Sequence, residues 1–120
     1  MSIDNKTNPN LVDLIHDLKT QAREEDAPIW RDVAERLEKP LQNWAEVNLS
    51  TIQRYVEDGE TIVIPGKILG SGYLTKRITA GSFRASNSAK KSIEEAGGSH
   101  MTIRELAEQE PKGNNVRIIG

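Results

Sequence analysis

Apolar residues recur at helical spacing from the first turn that shows any pattern. Leu11, Leu14, Ile15, Leu18 and Ala22 share one face, and Asp13, Asp17, Lys19 and Arg23 lie on the other. Asn8-Pro9 suits the start of this helix, because Asn accepts a free backbone N–H and Pro needs none at the first position. Glu24-Glu25-Asp26 closes it against the dipole preference, which predicts fraying. A second helix starts at Pro28 with Asp26 as its cap. Ile29, Trp30, Val33, Ala34 and Leu37 form its stripe, Arg31, Arg36 and Lys39 lie off it, and Pro40 stops it. Residues 41–45 have no period and predict an extended loop holding Trp44.

The pattern then shortens. Residues 46–49 read as a short strand or a bridge, and 50–56 as a helix with Leu49, Ile52, Tyr55 and Val56 inward. Thr61-Ile62-Val63-Ile64 is β-branched throughout and bounded by Gly59 and Pro65-Gly66, a strand signature. Lys67-Ile68-Leu69 reads as a second extended piece, and Gly70-Ser71-Gly72 as a turn. Residues 74–83 alternate with period two, putting Leu74, Ile78 and Ala80 on a buried face; Lys76 falls on that same face. Ser86 caps a helix over 87–96, ended by Gly97-Gly98. Met101 sits in a short extended piece. Thr102 and Glu105 make a capping box for a last helix that Pro111 ends, and Val116-Arg117-Ile118-Ile119 is a final strand. From residue 45 the order is strand, helix, strand, strand, helix, strand, helix, strand, an α/β signature. The reading is therefore a helical extension over 1–44 and an α/β core over 45–120, together one structural domain.

Charge changes this picture. Residues 61–93 contain no acid and six bases: Lys67, Lys76, Arg77, Arg84, Lys90 and Lys91. The rest of the chain holds the other ten bases and all eighteen acids, a net −8 hidden behind an overall −2. Bases beside glycine turns and a Ser-rich helix start (Ser86, Asn87, Ser88) are placed to meet phosphates. Arg23, Arg31, Arg36 and Lys39 offer a second patch. An exposed Trp44 would stack on unpaired bases, whereas Trp30 fits core packing better. With only 36% hydrophobic residues the core is small.

Other chemistry finds little support. The absence of cysteine excludes disulfides, thiolate zinc sites and a cysteine nucleophile, and fits a reducing cytosol. No signal-peptide pattern opens the chain, and its longest aliphatic run, 62–64, is far short of a membrane span. The glycines of 66–72 lack a Gly-Lys-Ser/Thr that opens a helix, so this is not a phosphate loop. They supply turns, or a close backbone approach to a partner. His16 and His100 have no paired ligand spacing, and neither Glu94-Glu95 nor Glu108 with Glu110 reads as more than a solvated face. No cofactor and no catalysis are expected.

One resemblance covers nearly the whole chain. Lys6-Thr7-Asn8-Pro9, Trp30-Arg31-Asp32-Val33-Ala34-Glu35-Arg36-Leu37-Glu38-Lys39-Pro40, Ala45-Glu46-Val47-Asn48-Leu49 and Pro65-Gly66-Lys67-Ile68-Leu69-Gly70 carry it. Ser88-Ala89, Gly97-Gly98 and the final Val116-Arg117-Ile118-Ile119 complete it. In this combination the chain resembles the archaeal large-subunit ribosomal protein family eighteen-e, shared with bacterial large-subunit protein fifteen. The resemblance implies an irregular superhelix of β-β-α repeats behind a two-helix N-terminal extension. It also implies a non-catalytic cytoplasmic ribosomal protein that binds large-subunit ribosomal RNA beside neighbouring ribosomal proteins. The RNA-binding residues expected are Lys6, Arg31, Arg36, Lys39, Trp44, Lys67, Lys76, Arg77, Arg84, Lys90 and Lys91. The chain departs from its relatives at Leu41-Gln42-Asn43 and Thr51, where many of them carry basic residues. The competing class is a protein-interaction or RNA-binding adaptor whose N-terminal helices dock on an acidic or apolar partner.

Overall fold

A computed structural model describes residues 8–120. Two helices come first, α1 (Pro9–Glu24) and α2 (Pro28–Leu37), then a single 3-10 turn (Leu41–Asn43). The rest alternates: β1 (Ala45–Asn48), α3 (Leu49–Tyr55), β2 (Thr61–Leu69), β3 (Thr79–Ala85), α4 (Asn87–Glu95), β4 (Ser99–Thr102), α5 (Ile103–Gln109) and β5 (Val116–Ile118). All strand pairs are parallel. β1 to β4 lie side by side in chain order, and β5 pairs with β2. The α/β class and the element order are those the hydrophobic pattern predicts.

The core sits on both sides of β2. Ile62, Val63, Ile64 and Ile68 are all fully buried. Alternation splits them between two clusters. Val63 points toward α1, α2 and α5, joining Leu11, Leu18, Trp30, Val33, Leu37, Ile103 and Leu106. Ile62, Ile64 and Ile68 point the other way, toward Leu49 and Ile52 of α3 and Ala89 and Ile93 of α4. α1 and α2 are tied down by more than apolar contact. The Trp30 indole N–H donates to the carbonyls of Glu110 and Pro111 at 3.1 and 3.0 Å, and the Gln21 amide donates to those of Ala107 and Pro111 at 2.9 and 3.1 Å. These carbonyls lie at and just past the end of α5, where helix geometry leaves acceptors without partners.

Local sequence accounts for most boundaries. The side chain of Asn8 accepts from the Asn10 N–H, that of Ser86 from Ala89, and Thr102 and Glu105 form the reciprocal capping box. Several expectations are corrected. Ala27, not Asp26, is the N-cap of α2; Asp26 takes a left-handed φ of 52°, which a short polar side chain tolerates in a turn. Tyr55 faces solvent. Trp44 follows a 3-10 turn rather than an extended loop and is partly buried.

The largest correction concerns 61–83. The two extended pieces at 61–64 and 67–69 are one strand with a register shift between Ile64 and Lys67. Pro65, which has no N–H to give a ladder, sits at that irregularity. Conversely, β3 starts only at Thr79. Residues 70–78 form a connection outside the sheet, whose Leu74 and Ile78 are buried by packing rather than by strand alternation.

The irregularity lets two strands share one edge of β2. β5 pairs with 61–63 and β1 with 66–69. Gly66 faces Ala45 of β1 so closely that a Cβ would overlap the Ala45 carbonyl oxygen. Gly70 likewise lies against Ser88. Only Gly72 of these three has a positive φ, 93°. Gly66 and Gly70 are thus close-approach positions within the chain, not left-handed turn residues. Gly66→Ala should lower the urea unfolding midpoint at unchanged m-value, costing about 3 kcal/mol from overpacking against immobile backbone. A midpoint equal to wild type would show that β1 can move away freely.

Candidate nucleic-acid interface

Parallel pairing sends the C-terminal ends of β1, β3 and β4 to one end of the sheet. Each runs directly into a helix, with Asn48, Ser86 and Thr102 as the N-caps of α3, α4 and α5. In open α/β sheets this is the end where ligands bind. Lys67 and Arg84 lie there as register partners on β2 and β3, with Glu46 of β1 on the other side of Lys67. All three are exposed.

Arg84 is held from behind. Its guanidinium carbon lies 5.5 Å from the centroid of Phe83. Phe83 meets Trp44 edge to face with centroids 5.1 Å apart. The Trp44 indole N–H donates to the Lys39 carbonyl at 3.0 Å. The expectation of an open Trp44 ring is therefore corrected: the ring packs against Phe83 and the α1–α2 side of the core. Phe83 carries no signal in the sequence, because a cation–π contact between strand neighbours leaves no mark on spacing.

The remaining bases fall in separate places. Arg36 and Lys39 line a small cleft of about 120 Å³ with Asn43, Ala45, Pro65 and Gly120. Arg36 also donates to Asp32 at 3.0 Å and to the Gly120 carbonyl at 2.8 Å. Arg31 pairs with Glu35 at 3.2 Å and borders an open cleft with Lys19 and Arg23. Lys90 and Lys91 are exposed on the first half of α4. Lys76 and Arg77 precede β3, at the other end of the sheet from Arg84. The Lys76 ammonium donates to the Val56 carbonyl at 2.6 Å, and the Arg77 backbone N–H to Asp58 at 2.6 Å. The acid-free stretch is therefore not one patch. Lys6 lies outside the described residues.

Ion pairing divides the cations sharply. Among the described residues, pairs form at Lys19, Arg31, Arg36, Arg104, Lys112 and Arg117. None involves a base of 61–93, although Glu46 stands beside Lys67. Exposed pairs of this kind stabilise by at most about 1 kcal/mol, so the division bears on availability to a partner more than on folding.

The buried Ser82 and the half-buried His100 form a polar link under this end. His100 Nε2 lies 2.8 Å from Ser82 Oγ, and that hydroxyl donates to the Arg84 carbonyl at 2.8 Å. The single hydroxyl proton is thus directed to the carbonyl, and Nε2 is the donor to Ser82. This is the reverse of a serine activated by histidine. Burial lowers the His100 pKa below its ordinary 6.5, and the nearby Lys90 charge lowers it further; Glu105 and Glu94 act weakly the other way. Glu105 is itself held below its ordinary value by hydrogen bonds from Thr102 backbone and side chain. Among the described residues no His, Asp or Glu cluster is arranged to hold a metal ion, and no helix is long and apolar enough to cross a membrane.

Comparison with known proteins covers nearly the whole chain. The family described as ribosomal protein 60S L18 and 50S L18e matches residues 3–120. The chain belongs to this family. Similar proteins include the large ribosomal subunit protein eL18 of Methanoregula boonei, 51% identical over 95% of this chain and 94% of that protein. Those of Halobacterium salinarum and Archaeoglobus fulgidus are 48% and 46% identical, each over 95% of this chain and 97% of theirs. The L18e membership thus rests on the full chain rather than on a shared motif.

His100 yields a pH prediction with a definite sign. Because its folded pKa is below 6.5, the unfolded chain takes up the proton first. Its contribution to stability is complete above about pH 6.5 and is lost as pH falls toward the folded pKa. Lys90→Gln should raise the His100 pKa measured by proton NMR; an unchanged or lower value would remove Lys90 as a cause.

Proposed function

We propose that this chain is a structural, non-catalytic constituent of the large ribosomal subunit in the cytoplasm. It binds large-subunit ribosomal RNA and lies against neighbouring ribosomal proteins. The observation that carries this reading is family membership over residues 3–120, which favours it over an adaptor module. The helical extension and the 45–120 core act as one structural domain, supported by the buried cluster that α1 and α2 share with Val63 and α5.

Within the interface we assign the leading phosphate contacts to Lys67, Arg84, Lys90 and Lys91. The supporting observations are their exposure, their lack of ion pairs among the described residues, and their place at or near the helix-starting end of the sheet. Arg36 and Lys39 extend it through the small cleft beside β1, with Trp44 bracing the Phe83–Arg84 pair. Arg31 and Arg77 serve as outlying contacts, and Lys76 contributes least, because a phosphate there competes with the Val56 carbonyl.

Two measurements test this. In sucrose gradients of native lysate the protein should sediment with the large subunit; absence from that peak would contradict the assignment. With purified protein and large-subunit RNA, Lys67→Ala with Arg84→Ala should reduce the salt slope by about one for each phosphate no longer neutralised, whereas Lys76→Ala should leave it nearly intact. Equal slopes for wild type and the double variant would remove this pair from the interface.

A further inference from the structure

The connection 70–78 carries an exposed aromatic ring on a rigid mount. Tyr73 is 69% exposed, more than any other large apolar side chain among the described residues. Its loop is nevertheless fixed on both sides. The Ser71 carbonyl accepts from the Ser50 N–H at 3.2 Å. Gln53 of α3 makes two bonds to Thr75, accepting from its N–H and donating to its hydroxyl, both at 2.9 Å. Gly72 turns at positive φ against Ser50, and Leu74 is buried beneath. Tyr73 stands between these anchors.

Beside the ring is an open cleft of about 490 Å³, lined by residues 72–75 on one side and by Ser92, Glu95 and Ala96 on the other. Its far wall is α4, the helix that also carries Lys91. Most of this lining is small, polar or hydroxylic, so the ring is not the centre of an apolar patch of the kind that anchors a protein partner. A planar ring with a hydroxylic rim from Thr75 and Ser92 matches a nucleotide instead. Glu95 fits the base edge rather than the phosphate, since a carboxylate accepts from an exocyclic amino group. Fixing the loop backbone on both sides of Tyr73 also lowers the ordering cost of binding.

We propose that Tyr73 is a stacking platform for one unpaired base of the bound RNA, with the cleft between the 70–78 connection and α4 receiving that nucleotide. This rests on the RNA-binding reading above but names a contact of a different physical kind. Stacking releases no counterions, so it adds affinity without adding salt dependence.

The test uses the full chain and transcribed large-subunit RNA. Tyr73→Ala should weaken binding roughly 5- to 150-fold at every salt concentration, with the slope unchanged, and Tyr73→Phe should bind within about two-fold of wild type. Thermal unfolding of both variants should match wild type, because the ring is exposed. Irradiation of RNA carrying 4-thiouridine should cross-link to residues 72–75. Wild-type affinity for Tyr73→Ala, alongside a reduced slope for the Lys67 and Arg84 double variant, would overturn the stacking proposal and leave RNA binding intact. Failure of the wild-type chain to bind the RNA at all would instead overturn the underlying reading.

Discussion

A strand buried on both faces needs a packed layer above and below it and a paired backbone on both edges. β2 meets that demand within one chain of modest size. Its aliphatic side chains alternate between the α1–α2–α5 layer and the α3–α4 layer. One edge pairs with β3, and the other is divided between β5 and β1. The shared edge works only because the strand breaks register at Pro65-Gly66 and because residue 66 has no side chain to hold β1 away. The other elements are placed by this arrangement, so the geometry of the charged end follows from it.

That geometry separates residues that stand together in the sequence. Lys67 and Arg84 are seventeen positions apart but are register partners, and Phe83 and Trp44 brace the second of them. Lys76 and Arg77, between them in the chain, are carried to the opposite end by the 70–78 connection. Among the described residues, Lys19, Arg31, Arg36 and Arg104 on α1, α2 and α5 are taken up in ion pairs, while the bases of β2, β3 and α4 are not. A chain with net charge −2 can thus present local positive surface, since fields at a surface act over about a Debye length rather than over the whole molecule.

Much of this is legible in the residues. Caps at Asn8, Ser86 and Thr102, the stops at Pro40 and Pro111, and the helical stripes of α1 and α2 all follow local rules, and the structure keeps them. Trp30 belongs in the core on its spacing, although nothing local indicates that its N–H binds the end of α5. The corrected expectations share a cause. Period-two alternation over 74–83 is the same whether residues pair in a sheet or plug a core from a loop, and only tertiary contact distinguishes them. Likewise, glycines at 66, 70 and 72 look alike in sequence, but only Gly72 turns the chain at positive φ, while Gly66 and Gly70 serve close approach alone. The interface is legible as a set of charges, not as a surface, because pairing between distant strands decides which charges meet.

Amide hydrogen exchange of the protein, free and bound to large-subunit RNA, tests the account most directly. It predicts that β2 exchanges slowest in both states and that RNA adds protection at 70–75 and 86–91, next to Lys67 and Arg84. It also predicts no gain along the outer face of α1, which carries Asp13 and Asp17. Protection confined to α1 and α2, with 70–75 and 86–91 unchanged, would contradict it.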